Sequence, residues 1–295
     1  IREANYFIET VVPRFEKGEI EGSEVNIKHY IGEMYFLRAK NYLSKLETFG
    51  DFPLIKNTLP DENEPLTQAS KREPRHKVAR FILEDLDQTI GLLTNNISGG
   101  KNRITKNAAL LLKSRAALFE ASWLTYHRGT ALVPGGSGWP GKAEDIADFN
   151  IDTEIAFFLK EAKEAAKEVI GNAALMQNTA KDCMDETVKT DEDKYKMSNP
   201  YFAQFSANSL EGYSEILLWR AYNLLDYKIV HSAPFYIRVG GNTGFTRQYV
   251  ESFLCRDGKP IYTTDQYKGD KSLLDVRKNR DLRLQLFLMT PGETL

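Results

Sequence analysis

"GEMYFLRAKNYLSKLETFGDFPLI", residues 32–55, decides how the chain is read. Counted from Ser23, a plausible N-cap, Ile31, Met34, Tyr35, Leu37, Tyr42, Leu46 and Phe49 recur at helical spacing on more than one side, so this helix should lie between neighbours. Gly50 supplies the positive φ that stops a helix, and Pro53 forbids its continuation. Arg38 stands on an otherwise crowded helix where a carboxylate such as Asp85 could pair with it, so Arg38, Gly50, Asp51, Pro53 and Asp85 read as one structural motif rather than a binding site.

The same periodicity extends outward. Tyr6, Phe7, Val11 and Phe15 make a short stripe before it. After it, Pro74 suits a helix first turn, and Val78, Ile82, Leu86, Ile90 and Leu93 follow at steps of three and four up to the stop at Ser98-Gly99-Gly100. Thr105 caps a helix with Ala108, Leu112, Ala116, Phe119, Trp123 and Tyr126 on one face, whose alanines permit close approach. A further helix from about Asp152 carries Ile155, Phe158, Leu159, Ala162, Ala166 and Val169.

Successive helices of this length predict a mainly α fold of tetratricopeptide-like helical hairpins, although no strict repeat of about 34 residues is visible. Residues 1–175 form the scaffold, with turn-rich loop insertions at 58–74 and 133–150. Residues 176–295 are aromatic, asparagine-rich and irregular, with few short strands expected.

Composition narrows the function. The 295 residues are 42% hydrophobic, enough for a sizeable core. A formal charge of -2, from 39 basic and 41 acidic residues, offers no field for a polyanion, so nucleic acid is not an expected partner. No apolar run reaches the roughly 20 residues that span a bilayer. The opening residues 1–15 lack the parts of a signal peptide and read as the middle of something longer. Cys183 and Cys255 have neither framework nor metal spacing and read as idle thiols.

Catalytic motifs fail on inspection. "GSGWPGKA", residues 136–143, nearly matches a phosphate-binding loop, but Ala143 stands where the magnesium-holding hydroxyl belongs and Pro140 removes an amide. Trp139 also occupies the last glycine position of a nucleophile elbow. His29, His76, His127 and His231 are scattered singly, and the acidic run 185–193 lacks the alternating ligands and glycine of a calcium loop. Aromatic residues beside polar ones remain: Trp139 in its glycine loop, Tyr201, and Tyr236 near Arg238 and Asn242. A ring face attracts the C–H groups of a sugar while Arg and Asn reach its hydroxyls, so these five are the candidate ligand-binding residues.

The motif resembles one known family. "GEMYFLRAKNYLSKLETFGDFPLI" is similar to the E-x-x-F-L-R-A…Y-Y…L…F-G-D-x-P-L-I segment of the SusD/RagB proteins, surface lipoproteins of Bacteroidetes-type bacteria. "REPRHKVARFILEDLDQTIGLL", "NRITKNAALLLKSRAALFEASW" and "TRQYVESFLCRDGKPI" with "NRDLRLQLFLMTPG" follow in the family's order. Leu282 departs from the usual proline, and Lys77 and Ala79 flank Val78 where a Val-Tyr pair is common. The resemblance implies an internal portion of a longer, lipid-anchored protein. It further implies non-catalytic capture of an oligosaccharide at the outer-membrane surface and delivery to a SusC-like TonB-dependent transporter. No cofactor is required by that role, and no residue pattern indicates a structural calcium. A peptide-binding repeat module would instead leave Trp139, Tyr201 and Tyr236 buried or scattered, and a glycosidase would need two facing carboxylates about 5 to 10 Å apart.

Overall fold

The computed structural model describes residues 1–177, 199–225, 228, 230–233, 235–236, 240 and 244–291, and the chain is mainly helical. It divides into two compact units, Ile1–Met176 with Leu210–Arg220, and Gln177–Ser209 with Ala221–Leu295.

In the first unit, α1 (Arg2–Glu16), α2 (Glu24–Phe49), α4 (Arg75–Leu92), α5 (Lys106–Tyr126) and α6 (Ile151–Asn172) pack in sequence order, each on the next, as stacked hairpins do. The short α3 (Asn63–Ala69) lies within the first loop insertion, and a turn of 3-10 helix, Ala143–Ile146, within the second. Tyr42, Leu46, Val78, Ile82, Leu86, Leu124 and Phe158 are buried together, with Ala39, Ala109, Ala117 and Ala121 letting the helix axes approach.

Side-chain caps begin two of these helices. Thr105 accepts from the Ala108 N–H, and Asn150 accepts from those of Asp152 and Thr153. Ser23 holds the N-cap position of α2 without a side-chain bond, and Pro74 precedes α4 rather than lying in its first turn. Helix α4 ends at Leu92, well before Ser98, because Asn95 turns to pair with Asn107 at the start of α5.

Helix α2 is less evenly covered than its pattern predicts. Ile31, Tyr42 and Leu46 are buried, but Leu37 is 39% and Phe49 51% exposed. The core-facing position beside Leu37 belongs to Arg38, and Phe49, at the helix end, stacks on Phe52 instead of entering the core. Leu217, from the 210–220 segment, covers Leu110 and Val169, while Lys101 Nζ donates to the carbonyls of Glu211 and Tyr213.

Among the described residues of the second unit are four short helices, α7 (Pro200–Ser206), α8 (Arg247–Ser252), α9 (Leu273–Arg277) and α10 (Leu282–Phe287). No sheet forms there; a single antiparallel bridge joins Cys255 and Arg280. Arg280 is fully buried and donates to the carbonyls of Val250, Phe253 and Val276, so one guanidinium ties the end of α8 to α9. Leu282 is the first residue of α10, a position that proline tolerates, which accounts for a proline elsewhere at this place without a change of fold. No helix among the described residues is long and apolar enough to cross a membrane.

Candidate functional site

The polar residues of 32–55 hold the scaffold. Arg38 donates through Nε and Nη2 to both carboxylate oxygens of Asp85, at 2.8 and 2.7 Å, and through Nη1 to Asn5 and the Lys56 carbonyl. Burial pushes the Asp85 carboxyl up, and the Arg38 fork opposes that. Gly50 closes α2 at φ 69°, ψ −109°, a conformation that side chains disfavour. The chain then runs extended through Pro53, and the Tyr42 hydroxyl both donates to the Ile55 carbonyl and accepts from its N–H. Asp51 accepts from the Arg75 N–H on one oxygen and from Trp139 Nε1 on the other, both at 2.8 Å.

That last bond gives Trp139 a structural role. Its ring is half-buried and lies so close to Gly141 that an added Cβ there would meet the indole at 2.2 Å. The loop therefore closes onto its own tryptophan. Nearby, Arg75 and Glu120 make a buried bidentate pair, with the guanidinium 4.4 Å from the Trp123 ring centre. Burial pushes the Glu120 carboxyl up against the pull of Arg75.

The remaining candidates lie in the second unit. Tyr201, 44% exposed, meets Phe205 and Phe287 edge-on, and with Tyr249, Phe253 and Arg283 it lines a cleft of about 80 Å³. Tyr236 is 60% exposed and meets Phe235, not Tyr201. Arg238 and Asn242 lie outside the described residues, as does Cys183. Cys255 is buried, and burial raises its thiol, which leaves it a poor nucleophile.

A larger recess, of about 810 Å³, opens in the same unit and was not singled out from the sequence. It is built by the "CRDGKPIYTTDQ" segment and Asn279. Gly258, at φ 77°, makes the turn that returns the Lys259 carbonyl to the Cys255 N–H. Asp257 accepts from the Lys259 N–H and, at 2.6 Å, from the Thr264 hydroxyl; this hydroxyl bond holds its carboxyl below the usual range. Asn279, at φ 56°, donates to the Gln266 carbonyl, while the buried Oε1 of Gln266 has no protein partner. The Tyr262 ring stands 85% exposed at the rim, with Arg256, Lys259 and Lys268 around it.

Chemically this is an aromatic face beside an ionised carboxylate, two amides and three cations, in open contact with water. It suits a polyhydroxylated ligand that stacks on Tyr262 and exchanges hydroxyl hydrogen bonds. Asp257 is held ionised and so lacks the raised pKa of a general acid. Among the described residues no group of His, Cys, Asp and Glu could hold a metal ion.

Solved structures place this architecture. A SusD-like protein from Bacteroides fragilis superposes with a TM-score of 0.58 at 19% identity, over 97% of this chain. A SusD-like carbohydrate binding protein from the same organism superposes with a TM-score of 0.52 at 14% identity, over 90%. The chain has the SusD-like fold. It spans less than half of those structures, 46% and 41% of their chains. No family model and no curated protein matches the sequence.

Proposed function

We propose that this chain is part of a non-catalytic, surface-exposed nutrient-binding protein of the bacterial outer membrane. It captures an oligosaccharide on its second unit and delivers it to a SusC-like TonB-dependent transporter, with a lipid anchor as its only tie to the membrane. The observation that carries this reading is the open recess at Tyr262, where an exposed ring faces Asp257, Gln266 and Asn279. Support comes from the SusD-like fold, since one protein of that fold is described as carbohydrate binding. The buried arginine pairs of the first unit agree with a rigid support whose irregular loops make the contacts. Affinity in so wet a site is modest, because protein–sugar hydrogen bonds replace water–sugar bonds of similar worth.

Affinity electrophoresis and calorimetry against a panel of soluble glycans, with reducing-sugar release followed alongside, test the proposal. Binding without sugar release is expected. Sugar release would overturn the non-catalytic role, and binding of peptides but of no glycan would replace the ligand class.

A further inference from the structure

We propose that the Tyr262 recess selects an anionic sugar, one carrying a carboxylate or a sulfate; this deepens the reading above and rests on it. Three cationic side chains, Arg256, Lys259 and Lys268, line the recess. None of them makes an ion pair with any described residue. The buried and half-buried cations of the first unit differ: Arg38, Arg75, Arg80, Arg103 and Lys113 all end on carboxylates.

Asp257 feels the charge of Lys259, but no carboxylate of the recess closes an ion pair with its cations. Asp257 spends one oxygen on the Lys259 backbone N–H and the other on Thr264. Asp265 is exposed, and its carbonyl, not its carboxylate, receives the Lys268 ammonium, at 3.5 Å. Three cations face two carboxylates, so the recess carries an excess positive charge on a chain whose formal charge is -2. A guanidinium with free N–H groups binds a carboxylate or sulfate through paired charge-assisted bonds, and an ammonium adds a point charge. The Tyr262 ring supplies the stacking face.

The test is calorimetry of the full chain at low ionic strength against two matched pairs. One is an oligogalacturonate and the same oligomer methyl-esterified; the other is a sulfated galactan oligosaccharide and its desulfated form. The pairs separate the carboxylate from the sulfate source. At least one acidic member should bind about tenfold more tightly than its neutral partner, and raising salt from about 20 to about 200 mM should erase most of that difference. The variant Arg256→Gln/Lys259→Gln, both residues exposed and neither in the core, should keep its circular dichroism and lose the preference. Equal binding of acidic and neutral partners would overturn the inference while leaving glycan capture standing. A preference that survives in the double variant would overturn the site. Failure of every glycan to bind would remove both.

Discussion

Arg75 and Glu120 provide a sharp test of how the scaffold is held. Arg75 is 2% exposed and Glu120 fully buried, joined by three N–H···O contacts of 2.8 to 3.1 Å. In Arg75→Met the fork is gone and the carboxylate stays at a position shielded from bulk solvent. Breaking such a buried pair costs about 3–5 kcal/mol, a third or more of the roughly 5–15 kcal/mol that stabilises a typical fold. The variant also acquires a pH dependence. Burial already raises the Glu120 carboxyl, and without Arg75 the raising is unopposed, so the folded variant holds a proton that the unfolded chain releases. Its deficit is therefore largest near neutrality and shrinks as pH falls toward the unfolded carboxylate range. Adding Glu120→Met removes the orphaned charge, and the double variant should recover to within about 1 kcal/mol of the parent. Urea unfolding of the full chain, followed by helical circular dichroism, measures all three. A loss under about 1 kcal/mol in Arg75→Met, or a double variant as unstable as the single, would refute the reasoning.

Other perturbations follow from the same structure. Gly50→Ala places a Cβ on a φ of 69° and should cost about 1–3 kcal/mol by urea unfolding. Asp51→Ala removes the acceptor of both the Arg75 N–H and Trp139 Nε1; it should destabilise by about 2 kcal/mol and speed proteolysis of residues 133–150. His76 is buried against Phe149, and burial lowers it to about 4, whereas the unfolded residue takes up its proton near 6.5. Its contribution is present above about pH 6.5 and is lost as pH falls toward 4, by up to about 3 kcal/mol; in His76→Phe that part of the acid sensitivity should disappear from paired unfolding curves.

The helical architecture was legible because its signals are local. Stripes of Val78, Ile82 and Leu86, the cap at Thr105, and the stop at Gly50 each act within a few residues. The Arg38–Asp85 pair was also visible, since a cation on the crowded face of a helix calls for a carboxylate partner. Trp139 shows where such reading stops. A tryptophan among glycines looks available to a ligand, yet Asp51, far off in sequence, takes its indole N–H. The Tyr262 recess escaped for the converse reason. Its segment carries the D-G-x-P-I pattern, which marks a turn, but the recess exists only because Gly258 folds the chain back and Asn279 arrives from beyond α9. Tyrosine exposure and unpaired lysines are products of that assembly and leave no periodic trace in the chain.

The most direct measurement of the central claim is calorimetric titration of the full chain and of Tyr262→Ala with whichever soluble glycan binds best in the panel. The ring is 85% exposed, so its loss should leave folding and the helical signal intact while weakening the glycan about tenfold. Unchanged affinity in Tyr262→Ala would contradict the placement of glycan capture in this recess.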